Sequence, residues 1–86
     1  MGQQTREPIA MPDLGIDRVE WRLTVWLVPR GARVAAGDRV VEIVAGQAVV
    51  DLPAPCDGIL QEKVVREECA VHQGDILGWI AHSPVD

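Results

Sequence analysis

The sequence has no phenylalanine and no tyrosine, and its only aromatic residues are Trp21, Trp26 and Trp79. A core with so few rings must be built from smaller side chains. Hydrophobic residues make up 48% of the chain, with valine and isoleucine prominent among them. β-branched side chains pack well on pleated surfaces and are stiff in helices, so this composition favours strands. Lysine is almost absent as well. Lys63 stands alone beside seven scattered arginines, and the net charge is −5. No stretch has the basic density of a nucleic-acid surface, so no nucleic-acid partner is expected. No apolar run approaches the roughly 20 residues that span a bilayer as a helix, so no membrane partner is expected either. Cysteine is limited to Cys56 and Cys69, neither in a CxxC pair nor in metal-ligand spacing. They are expected to be reduced thiols in a cytoplasmic protein. A disulfide between them stays open only for an exported chain.

At 86 residues the chain is expected to form one domain that buries roughly 60% of its unfolded surface. Residues 1–8 are polar, end in Pro8 and lack the apolar core of a signal peptide, so they read as a flexible leader. Residues 82–86, with Pro84, read as a flexible tail. The domain proper is expected over 9–81.

Inside those limits the chain repeats itself. Leu27–Ile43 aligns with Val64–Ile80 at an offset of 37 residues. Val28 then meets Val65, Val34 meets Val71, Gly37 meets Gly74, Asp38 meets Asp75, Val40 meets Leu77 and Ile43 meets Ile80. Each copy reads as strand, turn, short strand, Gly-Asp turn, strand. Each is too small to bury its own apolar face, and two facing copies would bury both. The expectation is an all-β flattened barrel or sandwich with pseudo-two-fold symmetry inside one chain. The strands are expected over Ile9–Leu14, Arg22–Val28, Arg33–Ala35, Arg39–Ala45, Ala48–Leu52, Gly58–Val65 and Ile76–Ala81. In Arg22–Val28 the alternation puts Leu23, Val25 and Leu27 on one side and Arg22, Thr24 and Trp26 on the other. Residues 66–73 have room for one helical turn at most.

The turn Ala45-Gly46-Gln47-Ala48 joins two strongly apolar runs. Gly46 supplies the positive φ that a tight hairpin needs. A side chain at such a tip projects from a stiff base, which suits a group that must reach distant active sites. The residue there is Gln47, whose neutral amide offers no nucleophilic amine. Lys63 lies on another predicted strand and reads as an edge or surface charge.

Several segments together resemble the lipoyl domains of 2-oxo acid dehydrogenase acyltransferases, and more widely the biotinyl/lipoyl carrier domains. Met11–Gly15, MPDLG, is similar to the opening of that family. Trp26-Leu27-Val28 with Gly31 and Val34 is similar to its W-x-V-x-x-G-D-x-V element, with Ala32 at the acid. Asp51–Pro55 followed by Gly58-Ile59-Leu60 resembles E-V-P-A-P-x-x-G-x-L, and Gly74–Leu77 resembles the closing G-x-x-L. The resemblance implies two four-stranded antiparallel sheets. It also implies a lipoyl-bearing lysine in a D-K-A turn that shuttles acyl groups between enzyme components. Those positions here are Gly46-Gln47-Ala48, and the G-E-G of the first loop is Gly15-Ile16-Asp17. A biotin-type M-K-M turn is absent as well. Attachment of lipoate or biotin is therefore not expected, and Gln47 marks the position where it would occur.

The remaining candidates are weaker. Asp38 and Asp75 sit in matched turns, which points to turn formation rather than paired acid–base work. His72 and His82 form no ligand pattern with an acid or cysteine, so no metal is expected. Neither cysteine has a basic neighbour that would lower its pKa. Trp21, beside the first loop, either packs over the barrel end or joins Gly15, Ile16 and Val44 in a docking surface near the turn. The expected function is non-catalytic: a lipoyl-like interaction or assembly module with a protein partner, in a system of 2-oxo acid dehydrogenase or acyltransferase type. The alternative is a swinging-arm carrier domain of a dihydrolipoamide acyltransferase, inactivated by glutamine at position 47.

Overall fold

The computed structural model describes residues 5–15 and 18–82. Eight strands follow one another within them: β1 (Thr5–Ala10), β2 (Trp21–Trp26), β3 (Arg33–Val34), β4 (Arg39–Ala45), β5 (Ala48–Pro53), β6 (Gly58–Lys63), β7 (Cys69–Val71) and β8 (Ile76–His82). They form two four-stranded antiparallel sheets, in the orders β1-β8-β6-β3 and β5-β4-β2-β7. This is the two-sheet all-β fold that the sequence leads one to expect.

The internal repeat is visible in individual hydrogen bonds. At an offset of 37, β2, β3 and β4 fall on β6, β7 and β8, and at an offset of 43, β1 falls on β5. The Gly31 amide donates to the Leu60 carbonyl at 2.7 Å, and its counterpart Glu68 donates to Leu23 at 2.6 Å. Leu27 donates to Val40 and Val64 donates to Leu77, both at 2.8 Å. The two Gly-Asp turns are closed alike: Asp38 Oδ2 accepts from the Ala35 amide at 2.9 Å and Asp75 Oδ2 accepts from His72 at 2.8 Å. Both aspartates are therefore turn formers. The Gly31–Leu60 and Glu68–Leu23 bonds cross from one half to the other, so neither half closes alone.

The core lies between the sheets and is built from symmetry-related pairs. Leu23 and Leu60, Val40 and Leu77, and Ile43 and Ile80 are all 0% exposed. Burying one such side chain contributes about 1.5–3 kcal/mol.

Two expectations need correction. The first strand is Thr5–Ala10 rather than Ile9–Leu14, so residues 5–8 belong to the sheet and not to a leader. Pro8 is tolerated because β1 is an edge strand and needs no donor on its outer side. Residues 1–4 and 83–86 lie outside the described part, and His82 ends β8 rather than beginning a tail. Second, the alternation along β2 changes sides. Leu23 pairs with Ile43 while Val25 pairs with Glu42, which leaves Thr24 as an extra, bulged residue. The shift carries Trp26 inward to 8% exposure and leaves Leu27 at 42%. The same bulge recurs 37 residues later at Gln61. Residues 66–73 form a turn and the short strand β7, within the limit of one helical turn and in keeping with the short strand of the repeat.

The symmetry is broken around Trp26. Its indole nitrogen donates to the Val65 carbonyl at 2.9 Å, and its ring lies against Gly78. A Cβ on Gly78 would come within 2.6 Å of the Glu62 carbonyl oxygen and 2.8 Å of the Trp26 ring. Gly78→Ala should therefore destabilise the fold by about 1–3 kcal/mol through overpacking. Urea unfolding followed by Trp fluorescence should show a lower midpoint with little change in slope. An unchanged midpoint would mean that the ring and strand can separate freely.

Candidate functional site

The β4–β5 hairpin is the most sharply defined projection of the fold. Ile43 to Val50 contains no charged side chain. The strands stay paired through Ile43–Val50, Val44–Val49 and Ala45–Ala48, leaving only Gly46 and Gln47 as the turn. Gly46 has φ +60°, whereas Gln47 is not among the residues of positive φ. Positive φ at the first central position alone is the signature of a type II′ turn. Both turn residues are exposed, Ala45 is buried and Ala48 packs against the core. At the base, Thr24 Oγ1 donates to Glu42 Oε2 at 2.7 Å and ties β4 to β2. The result is an exposed amide side chain at the tip of an anchored ribbon.

The loop between β1 and β2 enters the sheet close to this turn. Arg22 pairs with Val44, so β2 begins beside the end of β4 that carries the tip. Gly15 is exposed with φ +73°, and its amide donates to Asp13 Oδ1 at 2.8 Å. Ile16, proposed for the docking surface, lies outside the described residues. Trp21 is only 7% exposed and pairs with Val71, so it is a packing residue and offers little docking surface. Its position opening β2, rather than on the loop, turns the ring into the core. Val44 is half-buried, and its partner Val49 is 58% exposed. In the sequence Val49 shows only as part of an apolar run, which hides its exposure. The detectable signal was its position two residues beyond the turn, on the face opposite Ala48.

Lys63 does not stand in for a tip lysine. It ends β6, in the sheet opposite the hairpin, pairs there with Gly78 of β8 and is half-buried, with Nζ 5.7 Å from the Trp26 ring centroid. β6 is an inner strand, but β3 flanks it only at Gly58 and Ile59, and Lys63 near its far end lines a surface cleft, which fits the reading of a surface charge. Among the described residues no group of three His, Cys, Asp or Glu side chains is placed to hold a metal. His72 instead lies 3.6 Å from Asp75 Oδ2, and His82 lies 3.8 Å from Glu7.

Both cysteines are unbonded. Partial burial pushes the Cys56 thiol above its ordinary value, and the carboxylates of Glu7 and Asp57 push the same way. A raised pKa leaves less thiolate at neutral pH, the opposite of an activated nucleophile. Cys69 is exposed. Brief iodoacetamide treatment at neutral pH should label Cys69 first, with Cys56 lagging several-fold and catching up as pH rises. Peptide mapping checks the order, and faster labelling of Cys56 would contradict the assignment.

Comparison with known proteins agrees with this geometry. A family model described as "Biotin-requiring enzyme", covering biotin- and lipoyl-type domains, matches residues 7–80. The chain is 31% identical over 75 residues to the succinyltransferase component of the 2-oxoglutarate dehydrogenase complex of Buchnera aphidicola subsp. Schizaphis graminum, covering 87% of this chain and 19% of that protein. It is 28% identical over 67 residues to the acetyltransferase component of the pyruvate dehydrogenase complex of Staphylococcus aureus, covering 78% of this chain and 16% of that one. The chain thus spans less than a fifth of the length of these relatives. The solution structure of the lipoyl domain of the Azotobacter vinelandii 2-oxoglutarate dehydrogenase complex superposes with a TM-score of 0.70 at 24% identity, covering 87% of this chain and 95% of that domain. With the two-sheet fold, the closed Gly-Asp turns and the projecting hairpin in place, the chain belongs to the biotinyl/lipoyl domain family.

Proposed function

We propose that this chain is a lipoyl-type domain that carries no covalent arm and acts as a non-catalytic docking module. Its setting would be an assembly of the 2-oxo acid dehydrogenase or acyltransferase type. The observation that carries this reading is Gln47 at the exposed hairpin tip. Acylation of a side chain by lipoate or biotin forms an amide with a primary amine. A carboxamide is already an amide, neutral and non-nucleophilic at ordinary pH. The one lysine of the chain, Lys63, is half-buried in the opposite sheet. The scaffold supports the rest of the reading. Turn residues and core pairs are retained while attachment chemistry is missing, so a rigid surface for a protein partner remains. The uncharged hairpin with Val44 and exposed Val49 suits a largely apolar contact. The names of the relatives supply the system, and a soluble location shared with such complexes follows from the same reading.

A specific observation also favours the alternative, an acyl carrier inactivated at one residue. Nothing lies within 4 Å of a Cβ placed on Gly46, so an Asp-Lys turn has room at the tip, at the cost of backbone strain at φ +60°.

One experiment separates the two. The unaltered protein, co-expressed with a lipoyl ligase and separately with a biotin ligase, should keep its unmodified intact mass. Appearance of a lipoyl- or biotinyl-sized increment would refute the armless reading. Gly46→Asp combined with Gln47→Lys should gain a single lipoyl increment if only the attachment chemistry has been lost. A folded double variant that stays unmodified beside an active ligase would show that the recognition surface has diverged too, and would remove the inactivated-carrier alternative.

A further inference from the structure

Charge on this molecule is unevenly placed. The chain is acidic overall, yet a shallow cleft on the β1-β8-β6-β3 sheet is lined by Arg6, Arg30 and Lys63, with Gln61 and a single carboxylate, Glu62. Two of the three cations are held by aromatic rings. The Arg6 guanidinium lies 4.1 Å from the Trp79 ring centroid and 3.5 Å from Glu62, and Lys63 Nζ lies 5.7 Å from the Trp26 ring. Among the described residues, Arg30 and Lys63 have no carboxylate within ion-pair distance.

The internal symmetry serves as a built-in control on whether the scaffold requires these charges. The position equivalent to Arg6 is Val49, that of Arg30 is Glu67, and that of Lys63 is Trp26. The equivalent of Trp79, which stacks on Arg6, is Glu42. The same fold is thus built in the other half with no cation at any of the three places. The cationic cleft is an addition to one half, and folding does not demand it.

We propose that this cleft is a docking site for an acidic, extended peptide segment of a partner protein. The argument is charge complementarity on a surface of the right shape. Arg6 is on β1 and Lys63 on β6, with β8 between them, so their strands lie about 10 Å apart. An extended peptide places alternate side chains about 6.5–7 Å apart on one face, and the long Arg and Lys stems cover the difference. Cations already stacked on rings lose less freedom on binding than free ones. Glu62, which also lines the cleft and lies 3.5 Å from the Arg6 guanidinium, repels a compact polyphosphate more than a chain whose carboxylates are spaced along it. This site is separate from the hairpin and does not depend on the state of Gln47.

The test is an NMR titration of the full chain with a peptide of five Glu-Ala repeats at low ionic strength. The Gln-Ala counterpart is the control. Shift changes should concentrate at residues 6, 30, 61–63 and 79. Affinity should fall about tenfold or more on Arg30→Glu with Lys63→Glu, and fall again when salt shortens the screening length from about 30 Å to about 8 Å. Arg39→Glu, which removes a cation of the other sheet, should leave it within about twofold. Because Lys63 also packs on Trp26, the single exposed change Arg30→Gln serves as a second variant and should weaken binding several-fold with an unchanged unfolding midpoint. The proposal is overturned if the Gln-Ala peptide binds equally, if the shifts map elsewhere, or if both variants keep full affinity. It is likewise overturned if pyrophosphate gives the same shifts at the same concentration, which would make the cleft a general anion site. Self-association in sedimentation that the double change abolishes would assign the cleft to the acidic face of a second copy instead.

Discussion

Everything in this fold depends on mutual burial between two halves that cannot bury themselves. Each half offers a few aliphatic side chains on a ribbon of short strands, and the chain has no Phe or Tyr to enlarge either set. The apolar face of one half is covered only by the face of the other. Leu23, Val40 and Ile43 therefore meet Leu60, Leu77 and Ile80 at complete burial. The backbone reinforces this exchange. The Gly31 amide reaches the Leu60 carbonyl, and Glu68 reaches Leu23, so the first turn of each half is closed by a strand of the other. Small domains have a thin stability margin, and reciprocal closure makes the burial cooperative rather than divided between two marginal units.

Exact symmetry would leave the domain without individual character, and its departures are informative. Gly31 has φ +92°, while Glu68 fills the equivalent place with φ +70°, a region that costs an L-residue about 1–2 kcal/mol. The short hydrogen bond from its amide and the contact of Arg22 with its carboxylate, at 3.4 Å, hold it there. The Trp26 ring replaces the Lys63 of the other half and is admitted by Gly78, where the other half has Val41. The cationic cleft is a departure of the same kind. Side chains that the scaffold does not require can answer to something outside it.

The hairpin illustrates how loosely chemistry is attached to such a scaffold. Gly46 and the paired alanines define the turn, and those features are conformational. The identity of the residue at the tip contributes little to folding, since its side chain is exposed. A fold can therefore persist unchanged while the group that would define its chemistry is altered. For the same reason family membership is written in packing and turn residues, whereas an activity is written at the tip.

Much of this was legible in the residues alone. The repeat at an offset of 37, the two Gly-Asp turns, the β4–β5 hairpin with its tip and the all-β class follow from local chemistry: positive φ for glycine, side-chain capping by aspartate, and β-branched runs between breakers. What the sequence did not disclose was which side of a strand each residue faces once a bulge intervenes. Thr24 shifts the register by one residue, which buries Trp26 and exposes Leu27. Pairing across the sheet fixes that shift, and local propensity does not encode it. Edge position is equally non-local: only the placement of β1 at the rim explains why Pro8 lies within a strand. The inward turn of Trp21 and the gathering of Arg6, Arg30 and Lys63 around one cleft were likewise decided by tertiary structure. They bring together residues separated by tens of positions, and no sequence pattern records which strands will be neighbours in space.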